Sequence, residues 1–205
     1  MSASDLARRA AKPALFVLCL GPLLQLVWLA LGEGLSANPI EFLNRYLGDW
    51  AMRMILVTLV VTPVRLLSGW GGLARFRRML GLFAFTYAFL HLSSYIVLDH
   101  FFDWPRIWDD IVKRNFITVG MIAVLALVPL AVTSTNKMLR RLGSRKWQRL
   151  HQLIYPIAIL VIVHYYMMVK ADIREPLIYG AVLAALLLVR VFYNVKRRRA
   201  QKAQA

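Results

Sequence analysis

Acidic residues are scarce: 10 Asp and Glu stand against 26 Lys and Arg in 205 residues, for a formal charge of +16. Such a surplus points to nucleic acid only when the basic residues gather on one solvated face or stripe. Here they sit in short runs between apolar blocks, so no nucleic-acid partner is expected. Cysteine is scarcer still. The one thiol, Cys19, lies inside an apolar block, which excludes an intrachain disulfide and any multi-cysteine metal cluster; a small packed side chain is its expected role. Long loops are missing too. The longest, near 32–50, 100–115 and 134–149, are too short to bury a core, so no soluble domain is expected on either side. No G-x-G-x-x-G or P-loop occurs, and Gly69-Trp70-Gly71-Gly72 follows an apolar run rather than a strand. A nucleotide or nicotinamide site within the chain is therefore not expected, and no internal repeat is visible.

What is abundant is apolar sequence. Hydrophobic residues make up 60% of the chain and the mean hydropathy is +0.57, against roughly 45–50% apolar residues in an ordinary soluble domain. They fall into six runs of membrane-spanning length, near 13–31, 51–67, 79–98, 116–133, 150–169 and 176–194. In lipid every backbone amide needs an internal partner, and these runs are too long for barrel strands, so each is expected to be helical. The expected fold is an all-α integral membrane protein: one six-transmembrane-helix bundle over residues 1–205.

Lys and Arg set the orientation. With a cytoplasmic N-terminus, that side receives Arg8, Arg9 and Lys12, then Arg65, Arg75, Arg77 and Arg78. It also receives Lys137, Arg140, Arg141, Arg145, Lys146 and Arg149, then residues 196–199 and Lys202. The opposite loops hold Arg45, Arg106, Lys113, Arg114, Lys170 and Arg174, together with nearly all the acidic residues. Both termini are thus expected to be cytoplasmic, in a multi-pass membrane protein. A cleavable signal peptide at the N-terminus is disfavoured: its apolar run is long for that role, and cleavage would leave an odd number of spans with the basic loops on the wrong side.

Ionisable residues inside a span are costly and so are functional candidates. His91 lies in the third run and His151 and His164 in the fifth; His100, just beyond the third, is expected to be solvated or interfacial. Both helices enter from the same side, and His91 is roughly 18 Å deep and His164 roughly 21 Å at 1.5 Å per residue. Two imidazoles at one level between apolar walls can hold a haem iron through two axial nitrogens. His151 is roughly 20 Å from His164 along the helix and about 140° round it, too far to share that iron, although Pro156 between them can kink the helix. Spacing alone leaves open a hydrogen-bonding or proton-relay role for His91 and His164. Zinc is disfavoured, because the three histidines span two levels and no H-E-x-x-H or neighbouring carboxylate completes a site.

At these residues the chain resembles the haem-binding membrane subunits of periplasmic methionine-sulfoxide reductase systems, within the wider ferric-reductase-like transmembrane family. The matching stretches are Arg75-Phe76-Arg77-Arg78-Met79-Leu80-Gly81-Leu82 leading to Leu90-His91-Leu92, and Thr133-Ser134-Thr135-Asn136 followed by Arg140-Arg141-Leu142-Gly143. A third is Trp147-Gln148-Arg149-Leu150-His151-Gln152-Leu153-Ile154-Tyr155 running to His164-Tyr165-Tyr166. The likeness covers nearly the whole chain. It implies haem b, flavin mononucleotide (FMN), and His91, His151 and His164 as the haem-related, iron-binding residues. It also implies electrons drawn from the respiratory chain, through the quinone pool or a cytoplasmic flavin reductase. They would be delivered to a periplasmic molybdenum-containing reductase subunit that repairs oxidised periplasmic proteins. Larger members carry a further histidine 13 or 14 residues before the one matching His91, where this chain has Arg78 and Arg77, so one haem is expected and a second, inner haem is left open.

The resemblance implies an electron-transfer subunit of an oxidoreductase complex rather than a self-sufficient enzyme, with the hard chemistry belonging to cofactor and partner. Arg77 and Arg78, with Arg75 and Arg145, are candidates to hold a flavin phosphate, against the alternatives of acidic lipid or orientation alone. The rival class is a non-redox polytopic transporter or assembly factor with structural or proton-relay histidines.

Overall fold

The computed structural model describes the backbone of residues 3–32, 34–169 and 171–203, and within these the side chains other than those of 3–9, 197, 198, 202 and 203. Lys170 and the side chains of Arg8, Arg9, Arg197, Arg198 and Lys202, all part of the charge reading, lie outside the described residues. Among the described residues every regular element is helical. In chain order they are α1 (Ala3–Leu31), α2 (Pro39–Ser68), α3 (Arg77–Ser94), α4 (Trp104–Lys113), α5 (Asn115–Val132), α6 (Asn136–Leu142), α7 (Ser144–His151), α8 (Ile154–Met168) and α9 (Arg174–Ala203). Six segments are long and apolar enough to cross a membrane: α1, α2, α3 with its flanking turns, α5, α7 with α8, and α9.

Two differences from the sequence expectation matter for the site. The second helix starts at Pro39 rather than near 51, with Asn38 accepting a hydrogen bond from the Glu41 amide as its cap. Its first turns carry charges four residues apart, Glu41 with Arg45 at 2.7 Å and Asp49 with Arg53 at 3.9 Å, a helical spacing that a search for apolar runs passes over. The 100–115 segment, expected as a loop, contains α4. Asp103 caps it and Pro105 occupies its first turn; Trp104, Trp108 and Val112, one turn apart, are exposed, while Ile107 and Asp110 turn inward.

α2 packs chiefly on α3, and α5 on α8. Leu47, Ala51, Ile55 and Leu59 form a buried stripe four residues apart on α2, facing Leu80, Ala84 and Ala88 at the same spacing on α3. Such rows are the ridges that fit into a neighbour's grooves, and the alanines let the axes approach. Tyr87 is completely buried and its hydroxyl donates to the Cys19 carbonyl at 2.8 Å, tying α3 to α1. Cys19 is itself buried, as a packed side chain should be.

Prolines break the ladder at two useful places. Pro63 cannot donate to the Leu59 carbonyl one turn before it. The guanidinium of Arg190, brought in by α9, donates to that carbonyl at 2.5 Å and to the Tyr155 hydroxyl at 2.6 Å. Pro156 likewise leaves the Gln152 carbonyl without its helical donor, and the fifth span breaks there into α7 and α8, the Tyr155 amide turning back to Gln152 at 3.1 Å. The helix is thus interrupted just before Pro156, as its missing amide allows.

Candidate functional site

His91, three residues before the end of α3, and His164, four before the end of α8, face each other with ring centres 6.4 Å apart and planes at 71°. Two imidazoles sharing one metal ion through bonds of about 2 Å stand roughly 6 Å apart, centre to centre. Each ring is held in the same way. His91 Nδ1 lies 2.9 Å from the Asn44 carbonyl on α2, and His164 Nδ1 lies 2.7 Å from the Phe116 carbonyl on α5. A carbonyl can only accept, so Nδ1 donates, and in the neutral ring Nε2 keeps its lone pair. Among the described residues neither Nε2 has a hydrogen-bond partner. A second-shell carbonyl fixing one nitrogen while the other is left free is the arrangement of a metal-ligating histidine.

One turn beyond each carbonyl the helix carries a glycine. A Cβ at Gly48 would lie 3.1 Å from His91 Cε1, and one at Gly120 would lie 2.8 Å from His164 Cε1. Both rings therefore rest against bare backbone, on two different helix pairs, at one level of the bundle.

Between them opens a cavity of about 550 Å³, within the usual range for cofactor pockets, about 300–1,000 Å³. Its deep wall is apolar, with Met52, Ile55, Ala88, Leu127 and Val161; its mouth is polar, with Glu41, Arg45, Asp99 and Arg114. The mouth lies at the end of the bundle away from the described termini, where α2 begins and α3 ends. A flat apolar group with acidic substituents on one edge matches that gradient, and two facing imidazoles match a metal at its centre. The residues present thus fit an iron porphyrin.

His151, Arg77 and Arg78 are not part of this cavity. His151 ends α7 at the other end of the bundle, its ring stacked on Trp147 at 3.7 Å and its Nδ1 3.0 Å from the Trp147 carbonyl. Its Nε2 is buried without a hydrogen bond; the nearby Leu130 carbonyl is not in bonding geometry. Arg77 and Arg78 begin α3 close enough to His151 to act on its charge, and Arg78 donates to Asn136 at 2.6 Å.

Of the two settings expected for His100, solvated or interfacial, solvation is excluded: it is buried just past the end of the third span, its ring 4.4 Å from that of Tyr95 and its Nε2 3.4 Å from Asp110. A widened turn at Tyr95–Asp99, followed by Phe101 and Phe102 at positive φ, reverses the chain so that α4 covers the histidine. Reading charges by loop also passes over Arg53 and Arg190, which lie within spanning helices, and counts with a loop Asp49, which α2 carries. Their signal was available: an ionisable residue inside an apolar helix is costly and calls for a partner.

Residues 47–162 match the family of the ferric reductase like transmembrane component. The chain is 55% identical to the protein-methionine-sulfoxide reductase heme-binding subunit MsrQ of Rhodospirillum rubrum, across 95% of this chain and 94% of that protein. It is 50% identical to the MsrQ subunit of Herminiimonas arsenicoxydans, across 95% of this chain and 90% of that one. With the MsrQ subunit of Caulobacter vibrioides it shares 50% identity across 90% and 87%. Likeness at this level over nearly the full length of both partners, in a six-span bundle, means that the chain belongs to the MsrQ family, with a ferric-reductase-like transmembrane core.

Proposed function

We propose that this protein carries electrons across a bacterial inner membrane through one haem b bound between His91 and His164. The observation that carries the reading is the pair of imidazoles 6.4 Å apart, each fixed through Nδ1 to a carbonyl, over an apolar cavity with a polar mouth. When bound, the haem supplies the one-electron chemistry; the protein binds it, orients it and excludes water. His91 and His164 would hold the iron, Met52, Ile55 and Leu127 would line its apolar surroundings, and its carboxylates would lie at the polar mouth, where Arg45 and Arg114 are already paired with Glu41 and Asp110. Membership of a family whose curated members are named heme-binding subunits of a methionine-sulfoxide reductase supports the same assignment.

The basic loops support cytoplasmic termini by the positive-inside rule, an orientation in which the haem would lie in the outer half of the membrane. Electrons then leave on the periplasmic side to a molybdenum-containing reductase subunit that repairs oxidised methionine. They arrive at the inner end, from quinol or from a cytoplasmic flavin reductase, where His151, Arg77 and Arg78 receive the quinol or hold FMN. The test is spectroscopic. Purified protein should show a Soret band that shifts on reduction, with a low-spin six-coordinate signature; protein that retains its fold but carries no haem when produced under haem-sufficient conditions sinks the reading.

A further inference from the structure

Beside the cavity, three helices contribute a polar cluster that haem binding does not use. On α2, Asp49 lies 3.9 Å from Arg53, whose guanidinium sits over the Trp50 ring at 5.2 Å and donates through Nε to the Tyr179 hydroxyl of α9 at 3.0 Å. On α8, the Tyr165 hydroxyl donates to Glu175 of α9 at 2.6 Å, and the rings of Tyr165 and Tyr179 are 6.3 Å apart. Asp49 and Tyr165 both line the cavity. Asp49 and Glu175 are near enough to act on Arg53 and on each other. Asp49 has the Arg53 guanidinium at 3.9 Å and Glu175 has the Tyr165 hydroxyl at 2.6 Å, so among the described residues the cluster sets two carboxylates against one guanidinium at the edge of the site.

An electron placed in a weakly polar cavity raises the cost of every negative charge nearby, because the coupling grows as the local dielectric falls. The nearest means of compensation is a proton. Glu175 is exposed at the start of α9 and Asp49 is half-buried at the cavity wall, with the Tyr165 phenol bonded to Glu175 and lining the same cavity as Asp49. Other charges around the pair come from each packed element. Arg45 acts on Asp49 from one turn away but is engaged by Glu41 at 2.7 Å. Asp99 follows α3, Arg114 before α5 is held by Asp110 at 3.2 Å, and Arg174 lies 3.9 Å from Asp172. None of these supplies a free cation to the pair.

We propose that the Asp49–Glu175 pair takes up a proton from the outer aqueous phase when the haem iron gains an electron, and returns it there when the electron leaves. This rests on the haem reading above. In the reduction step one electron from the donor converts ferric to ferrous iron and one proton converts a carboxylate of the pair to the acid, so the site gains no net charge; oxidation reverses both. No other bond is made or broken. Transfer out of the membrane then releases an electron and a proton on the same side, where reduction of a sulfoxide consumes both.

The experiment is an equilibrium redox titration of the full-length haem-loaded protein in nanodiscs, read from the haem spectrum at a series of pH values. The wild type should become harder to reduce as pH rises. The limit is a tenfold shift of the equilibrium per pH unit, about 59 mV for one electron. Asp49→Asn and Glu175→Gln should each flatten that dependence, while Asp109→Asn, on exposed α4, should keep it. A measurement that needs no variant is dye-reported proton uptake on photoreduction of the wild type in weakly buffered solution, expected at a substantial fraction of one proton per electron. A bound haem whose potential ignores pH, or a slope that survives in both variants, overturns the proposal and leaves the haem reading intact. Absence of a haem spectrum overturns both.

Discussion

Gly120 of α5 stands so close to His164 of α8 that a Cβ there would lie 2.8 Å from the imidazole Cε1. The contact is on the same helix, one turn from the Phe116 carbonyl that holds the ring's Nδ1, so the glycine and the carbonyl together set the ring's position. Gly120→Ala is expected to displace the ring, cost about 1–3 kcal/mol as an overpacked site, and lower the haem-to-protein ratio with a shifted low-spin spectrum. Gly48→Ala, where the corresponding approach to His91 is 3.1 Å, should do the same more mildly. Absorbance spectra and thermal unfolding of both variants check the order.

Removing either imidazole should be more severe. His91→Ala and His164→Ala each leave at most one axial nitrogen on the iron, so each is expected to abolish the six-coordinate spectrum. A normal low-spin spectrum with full haem in either variant would break the pairing.

Arg190 is the clearest case of a charge buried within the bundle, 6% exposed and without a carboxylate partner among the described residues. Its donors to the Leu59 carbonyl and Tyr155 hydroxyl answer a need that Pro63 creates. Arg190→Leu should destabilise the protein by about 1–3 kcal/mol, the range for leaving a buried polar group unpaired. In a Pro63→Ala background residue 63 regains its amide donor, and the same substitution should cost less. A double-mutant cycle in detergent unfolding measures the difference, and equal costs in both backgrounds would remove the link.

At the opposite end of the bundle the expected outcome separates from haem binding. His151→Ala should leave the haem spectrum intact while reduction by quinol or a flavin reductase slows severely, because His151 is not in the His91–His164 cavity and keeps Nε2 unbonded. Normal donor-driven reduction would return it to a structural role. Arg77→Gln with Arg78→Gln should lower the flavin content of purified protein; unchanged flavin with intact topology would leave these arginines to orientation alone.

The helical class, the six spans and the shared level of His91 and His164 were legible in the residues, because run length, the need to satisfy backbone amides in lipid, and depth along a helix are all one-dimensional quantities. The break near Pro156 was legible for the same reason: a missing amide is a property of one residue. What lies across helices was not. Which carbonyls hold the two imidazoles, and that Gly48 and Gly120 make room for them, depends on which helices pack together. The burial of His100 follows from α4 folding back over it, a helix whose four-residue spacing of Trp104, Trp108 and Val112 is broken up by charges. The partner of Arg190 is the carbonyl freed by Pro63, more than a hundred residues earlier in the chain. Local sequence decides where a helix runs and what it cannot satisfy by itself; only packing decides which neighbour supplies the missing donor, acceptor or space.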